Sequence, residues 1–393
     1  MTRDDAIATL PKRHVLLLNG FGTNLGDQAI TAGFLRLFSA AADGVADVTF
    51  DHHFIFSYAI RAADIERINA TYDLIVLCGG GFLYDRPDES TASGWGFDVP
   101  EELLGALTVP IAVYGAGYNY RRFSEPHFPE FTASHVRETV ARSAHFSVRE
   151  HGSARMLREA FEVDHEVDVV PDCALHVEPH YVDLSDKRPS VAVCLRLDRP
   201  HHRFPPPFPE SLRDFMAALV VALKHLVESG YQVVYTPHLL TSHDVEAGDL
   251  LAANLPAESF VRLYDALPSL YGAGVDLKRP SVLAGVYEQM DVVIGQRLHS
   301  LVVPFAVGTP CVSMTSIDTS AWMQAELGNP AWMHIDSSVP VSAKQIVDAV
   351  TRASAEREAW RGPALERRDA LRARGEAAMR RMVVETLGGS DAG

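Results

Sequence analysis

Along most of this chain, short runs of consecutive apolar residues alternate with longer segments of helical period. No other feature constrains the fold as much. The runs HVLLLN (14–19), DVTFDH (47–52), DLIVLCGG (73–80), PIAVYGAG (110–117), HFSVRE (145–150) and VDVVPDC (167–173) come first. A strand that is apolar on both faces belongs inside a parallel sheet covered by helices on both sides. The alternation therefore implies a doubly wound α/β sheet, whose ligands bind beyond the carboxyl ends of the strands. Residues 27–41 read as the first crossover helix.

Over 176–190 (HVEPHYVDLSDKRPS) the pattern lapses into a polar, aperiodic stretch, then restarts. SVAVCLRL (190–197), YQVVYTPH (231–238), DVVIGQRL (291–298), PCVSMTS (310–316) and AWMHID (331–336) are the second set of strands. Between the first two, Leu212, Phe215, Met216, Leu219, Leu223 and Leu226 fall on one stripe of a helix over 211–229, ended by Gly230. The expected organisation is two Rossmann-like doubly wound domains facing a cleft. The first spans 1–178, a linker 179–190, the second 191–345, and helices and a tail over 346–393 are placed to pack back on the first domain. With 393 residues, each domain has room for its own core. The arginines of the last segment, among them Arg368, Arg372, Arg374 and Arg380, are interleaved with Glu366, Asp369 and Glu376 and read as a solvated helix face.

Charge narrows the partners. Thirty-five Lys and Arg against 51 Asp and Glu give a net charge of −16, which argues against a nucleic-acid partner. An anionic small substrate stays open if arginines gather locally. The opening MTRDDAIATL lacks the basic start and apolar stretch of a secretory signal. No apolar run reaches the ~18–20 residues a membrane span needs, so a cytoplasmic location is expected. Cys78, Cys173, Cys194 and Cys311 lie in or beside apolar runs with no CxxC spacing, and read as buried free thiols. The 17 histidines include the adjacent pairs His52–His53 and His201–His202, which do not converge as metal ligands, so no metal is expected. The Pro-rich stretch PHHRFPPPFPE (200–210) reads as a stiff loop bordering the cleft.

The strand ends carry the chemistry. The first runs into Asn19-Gly-Phe-Gly-Thr-Asn-Leu-Gly-Asp27, where glycines admit a ligand to the backbone and a helix N-terminus follows. Its glycine spacing misses the dinucleotide fingerprint, and no GK[ST] marks a P-loop. A plain tight turn with Asp27 near the helix start is the alternative. The third strand ends in Cys78-Gly79-Gly80-Gly81-Phe-Leu-Tyr-Asp85, more glycine than turn chemistry asks for, which favours close approach of a ligand or of the other domain. The fourth presents Tyr118, either for a sugar face or as a roof over the domain.

Arg149 and Asp172 follow the fifth and sixth strands. Arg149 is placed to fork onto a carboxylate or phosphate, or to pair with Glu150 or Asp172; Asp172 is equally placed to cap the next segment. In the second half, Arg196 and His238 stand near strand ends. The most informative stretch is Asp291-Val-Val-Ile-Gly-Gln-Arg297-Leu-His299, a strand running into an apolar helix beginning near Leu298. Residues two apart in an extended turn face the same way. A fixed cation beside a titratable imidazole is what binding and protonating an anion requires, with structural hydrogen bonding as the alternative.

Taken together, NGFGTNLGDQAI, LIVLCGGGFLYD, VYGAGY, FSVREHGSARML, VVPDCAL and IGQRLHSLVVPFAVGTPCVSM resemble the polysaccharide pyruvyl transferase family, in order, from about residue 14 to 330. The resemblance implies a two-domain fold like that of the GT-B glycosyltransferases. It also implies transfer of the carbon skeleton of phosphoenolpyruvate, as co-substrate and without a further cofactor, onto two sugar hydroxyls, giving a cyclic pyruvate ketal and phosphate. It makes Arg297 and His299 the donor-site pair, joined by Arg149, Arg196 and His238. The chemistry makes His299 the acid and Asp172 the group that orients or deprotonates an acceptor hydroxyl. Asn24, Asp27, Gly79, Gly80, Gly81, Asp85 and Tyr118 then belong to the acceptor side. Two departures stand out: Ser316-Ile-Asp-Thr-Ser320 lacks the lysine common there, and Cys173 replaces a common proline. The competing readings are a GT-B glycosyltransferase using a nucleotide sugar and a catalytically silent carbohydrate-binding relative.

Overall fold

Most of the apolar runs become strands because neither of their faces can be left in water, whereas DVTFDH (47–52) forms a half-exposed edge strand. In the computed structural model, which describes residues 10–20, 22–85, 91–120, 122–123, 128–184 and 188–388, they build two six-stranded sheets. The first contains β1 (Lys12–Asn19), β2 (Asp47–Phe54), β3 (Leu74–Tyr84), β4 (Ile111–Asn119), β5 (His145–Val148) and β6 (Asp168–Val169) in the order β2-β1-β3-β4-β5-β6. The second contains β7 (Ser190–Cys194), β8 (Gln232–Tyr235), β9 (Phe260–Arg262), β10 (Val292–Gly295), β11 (Cys311–Thr315) and β12 (His334–Asp336) in the order β12-β11-β10-β7-β8-β9. Every pairing is parallel. Residues 1–9, on which the leader reading rests, 185–187 of the expected linker and 389–393 of the tail lie outside the described residues.

Both sheets reverse direction beside their first strand. β1 lies between β2 and β3, and β7 lies between β8 and β10. At such a reversal the neighbouring loops leave in opposite directions and open a crevice beyond the carboxyl ends. Each domain therefore has one natural ligand position, set by strand order alone.

The helix after β1 starts at Leu25, two residues before the expected start, because the Asn24 side chain caps it by accepting from Gly26 N at 2.9 Å. Its buried face (Leu25, Ala29, Ile30, Phe34, Leu37, Phe38, Ala41) continues into a core shared by both domains. That core joins Leu17 and Val76 of the first sheet to Val293 of the second, to Leu301 and Phe305 of the helix that follows it, and to Met379 and Met382 near the chain's end. A fully buried side chain of this size contributes roughly 1.5–3 kcal/mol, so the joint between the domains is packed core, unlike a wet interdomain contact.

Two stretches are held more tightly than their composition suggests. His180 N donates to Ser281 O at 2.8 Å, and a Cβ on Gly285 would stand 1.8 Å from His180 O, so the connection between the domains lies flat against the helix Arg279–Glu288. The long helix Arg357–Leu387 corrects the solvated-face reading in part. Arg374 and Arg380 face solvent. Arg372 Nε instead donates to Leu175 O at 2.7 Å, and Arg368 Nη1 to Ala306 O at 3.0 Å, each covering a carbonyl at the end of a helical turn. Tyr114 Oη of β4 donates to Gly375 O at 3.1 Å. The helix thus braces both domains from behind the cleft.

Candidate functional site

The crevices at the two strand-order reversals open toward each other as one cleft of about 850 Å³, counted out to its open mouth. Its lining includes Asn24, Asp27, Gly81, Arg149, Arg196, His238, Arg297 and His299, eight of the residues singled out in the sequence. Cys78, Cys173, Cys194 and Cys311 are buried and free.

On the second domain, β10 ends at Gly295, where a Cβ would stand 2.3 Å from Ser300 Oγ, so only glycine lets the chain turn this sharply into the helix His299–Ala306. Arg297 and His299 both reach the cleft, but not by strand alternation. Leu298 between them is already helical (φ −54°, ψ −45°), and the turn itself aims the two side chains. Arg297 Nη2 donates to Asp198 Oδ1 at 2.8 Å, and Arg203 Nη2 to Asp198 Oδ2 at 3.1 Å. Asp198, Arg199 and Arg203, none of them expected from the sequence, line the same wall. Arg203 comes from the Pro-rich loop that was expected to border the cleft. Burial, then the charge of Arg203, pulls the Arg196 guanidinium down to about 9, the mark of a cation short of counter-charge.

Arg149 combines both readings open to it. Its Nε donates to Glu150 Oε2 at 2.9 Å and its Nη1 lies 3.9 Å from Asp172 Oδ2, yet the side chain also lines the cleft. Gly117 makes room for it: a Cβ there would stand 2.4 Å from the guanidinium.

Asp172 is not where its expected role in deprotonating an acceptor requires. It is 4% exposed, absent from the cleft wall, and accepts from Ala174 N at 2.9 Å as a cap. Its Oδ2 lies 3.3 Å from His299 Nε2. Burial by itself would raise the Asp172 carboxyl; the charge and hydrogen bond of His299, with Arg149, outweigh it and hold the group below the usual carboxylate range. An ionised carboxylate only accepts, so Nε2 of His299 is the donor and Nδ1 is left toward Gly26. A Cβ on Gly26 would stand 2.8 Å from that Nδ1.

On the first-domain wall the carboxyl that does line the cleft is Asp27, in the first turn of the helix after β1. Burial pushes it above the ordinary carboxyl range, against the lowering pull of His299, Arg297, Arg196 and Arg149. His238 joins the domains through its carbonyl, which accepts from Leu25 N at 2.8 Å. Its Nε2 lies 2.8 Å from Tyr287 Oη, and burial drives its imidazole well below the usual value, so it faces the cleft neutral.

Four expected acceptor residues fall elsewhere. Gly79 and Gly80 adopt positive φ (45° and 97°), and a Cβ on Gly79 would stand 2.4 Å from Ile30 Cγ2. The close approach their run foretells is that of a core side chain; only Gly81 lines the cleft. Tyr118 packs among Tyr120, Phe128 and Phe161, and Asp85 is fully buried near it. Phe56, Tyr84, Asn119, Leu298 and Thr319 complete the lining, Thr319 from the segment that lacks the lysine common there. Among the described residues no three His, Cys, Asp or Glu side chains converge as a metal site, and no helix is long and apolar enough to cross a membrane.

Residues 24–318 match the polysaccharide pyruvyl transferase family, three quarters of the chain and every residue of the Arg–His wall. The chain belongs to this family. Its helix Arg357–Leu387 lies outside the matched region. The fold is GT-B-like: a putative UDP-N-acetylglucosamine 2-epimerase from Listeria monocytogenes superposes with a TM-score of 0.58 at 12% identity, covering 95% of each chain. The S. aureus MnaA–UDP structure gives 0.55 at 8% identity over 95% of each chain. An α,α-trehalose 6-phosphate synthase from Burkholderia multivorans gives 0.51 at 14% over 96% of each. Identities this low speak for the architecture alone. Family membership makes the protein a polysaccharide pyruvyl transferase-like enzyme.

Proposed function

We propose that the enzyme transfers the pyruvyl skeleton of phosphoenolpyruvate onto two hydroxyls of a sugar or glycan, closing a cyclic ketal and releasing phosphate. The observation that carries this reading is the convergence on one cleft of Arg196, Arg203, Arg297 and His299 from the second domain with Arg149, Asn24, Asp27 and Asn119 from the first. Phosphoenolpyruvate bears a phosphate and a carboxylate, and forked guanidinium donors suit both. The first-domain wall offers two amides and a carboxyl group suited to hydroxyls. Family membership supports the donor class.

In this scheme His299, oriented by Asp172, protonates the methylene carbon from Nδ1, while Arg297 keeps its proton and stabilises charge. Positive charge develops on the neighbouring carbon, a sugar hydroxyl adds there, and its proton passes to Asp27, whose raised carboxyl suits it to act as base. The carbon–oxygen bond to phosphate then breaks, its charge taken up by the arginines, and the second hydroxyl closes the ring. The new methyl group keeps the proton given by His299, the proton taken up by Asp27 leaves with the phosphate, and the proton of the second hydroxyl restores His299. Phosphoenolpyruvate brings its own leaving group.

The test is incubation with phosphoenolpyruvate and a panel of glycosides, following phosphate release and the ketal methyl signal by NMR. Phosphate appearing only with acceptor, and lost in His299→Ala and Arg297→Ala, is the expected result. Acceptor-dependent turnover of a nucleotide sugar would overturn it in favour of glycosyl transfer, and glycan binding without turnover in favour of a silent relative.

A further inference from the structure

Three guanidinium groups meet one carboxylate in the second-domain wall. Besides its bonds from Arg297 and Arg203, Asp198 Oδ1 lies 3.7 Å from Arg196 Nε, and Arg203 Nε donates to the Asp198 main-chain oxygen at 3.0 Å. All four residues line the cleft. Two of the arginines keep a donor unspent: Arg196 Nε and Arg297 Nε are buried without a hydrogen-bond partner, and the Arg297 side chain is only 7% exposed. Leaving a buried donor unsatisfied costs about 1–3 kcal/mol, more on a charged group. The cradle is thus built for more acceptor than Asp198 supplies. Arg149, across the cleft, is already balanced by Glu150 and Asp172.

We infer that Asp198 is a resident counter-anion that an incoming substrate anion must displace, so that it sets a charge threshold on what the cleft accepts. The three guanidinium groups paired with Asp198 exceed its charge by two (3 − 1 = 2), and Arg199 on the same wall adds to that surplus. A monoanion taking the place of Asp198 leaves that surplus unchanged and gains little. A dianionic phosphoryl group neutralises a further charge and reaches the unspent Nε donors. Asp198 is thereby a specificity-determining residue, rejecting the monoanionic carboxylates of unphosphorylated acids and admitting phosphorylated ones. Burial would raise the Asp198 carboxyl, yet Arg196, Arg297 and Arg203 hold it well below the usual range, so the competing charge is present at every working pH.

The inference rests on the phosphoenolpyruvate reading only for the identity of the natural anion. Its test uses sulfate as the dianion and formate as the monoanion, titrated calorimetrically into the wild-type protein and into Asp198→Asn, which keeps the side-chain shape, with circular dichroism to check folding. Wild type is expected to bind sulfate at least about tenfold more tightly than formate. Asp198→Asn is expected to bind sulfate about tenfold more tightly than wild type and to bind formate measurably. Sulfate affinity unchanged or weakened in Asp198→Asn would overturn the inference, because Asp198 would then be organising the arginines instead of competing for them. Equal affinity of wild type for the two ions would overturn it without any variant. None of these readouts involves phosphoenolpyruvate or a sugar, so failure of ketal formation and failure of the threshold are separately visible.

Discussion

Replacing Gly26 by alanine strains the tightest joint of the cleft. Gly26 is the second residue of the helix Leu25–Ala42, where alanine ought to help by about 1 kcal/mol over glycine. A methyl there would nevertheless stand 2.8 Å from His299 Nδ1, 2.9 Å from its Cβ and 3.0 Å from its Cγ. Comfortable contacts between such atoms begin near ~3.5 Å, so the helix start and the imidazole must part by roughly 0.6 Å. Because the Cβ of His299 is an obstacle as well as the ring, a rotamer change does not relieve the clash. The Asp172–His299 contact is 3.3 Å long already, so a shift of that size away from Asp172 takes it out of hydrogen-bonding range. The methyl also covers Nδ1, the proposed proton donor. General acid catalysis contributes about 10²–10⁴-fold, so phosphate release is expected to fall by at least about 100-fold. Helix propensity and packing oppose each other, so the unfolding midpoint should move by no more than about 4 °C. Steady-state phosphate release with the best acceptor, alongside a calorimetric melt, measures both. A Gly26→Ala enzyme within twofold of wild-type turnover would refute the placement of His299 in the chemistry.

Three further perturbations probe the other walls. Gly117→Ala puts a methyl 2.4 Å from the Arg149 guanidinium, a flexible group that must swing aside; the expected result is about a tenfold rise in the KM for phosphoenolpyruvate, with a smaller change in kcat. Asp27→Asn should lose about 100-fold in turnover and gain stability. Burial raises the Asp27 carboxyl in the folded state, so its ionisation opposes folding once the pH passes the ordinary carboxyl range, and asparagine removes that burden. Melts from pH 3 to 8 should show the variant's advantage growing with pH. Asp172→Asn has the opposite sign. The folded carboxyl is held low, chiefly because His299 outweighs burial, so its stabilisation is present above the unfolded carboxyl value and disappears as the pH falls through the lowered one. At pH 7 the variant should lose about 3 kcal/mol, as for breaking a buried ion pair, and its melt should converge on that of wild type in acid.

The architecture was readable because it rests on local pattern. Uniformly apolar runs such as Leu74–Cys78 and Val292–Ile294 commit their segments to a covered parallel sheet whatever surrounds them. The strand-end rule then pointed to Arg149, Arg196, Arg297 and His299, and all four line the cleft. The same reasoning misplaced Tyr118 and Gly79, since a polar ring or bare backbone at a strand end serves packing as well as binding. Asp198 and Arg203 gave no signal of their own. Each is an ordinary charged loop residue until Arg297, 99 residues from Asp198, is brought within 2.8 Å of it.

From the sequence alone came the two doubly wound domains, the cleft between them, the family, and an Arg–His pair on the strand-to-helix turn. Each of these depends on hydrophobic period or on side-chain chemistry at a predictable strand end, which short segments encode by themselves. Tertiary structure decided the partnerships. It placed Asp172 behind His299 across 127 residues, gave the cleft-facing carboxyl to Asp27, and set a carboxylate among three arginines. Hydrogen bonds and ion pairs fall off within a few ångströms, so which charge answers which is fixed only when strands distant in sequence are laid side by side and the two sheets are packed against each other. A net charge of −16 thus coexists with an arginine-rich cleft, because the total is a property of composition and the local potential a property of the fold.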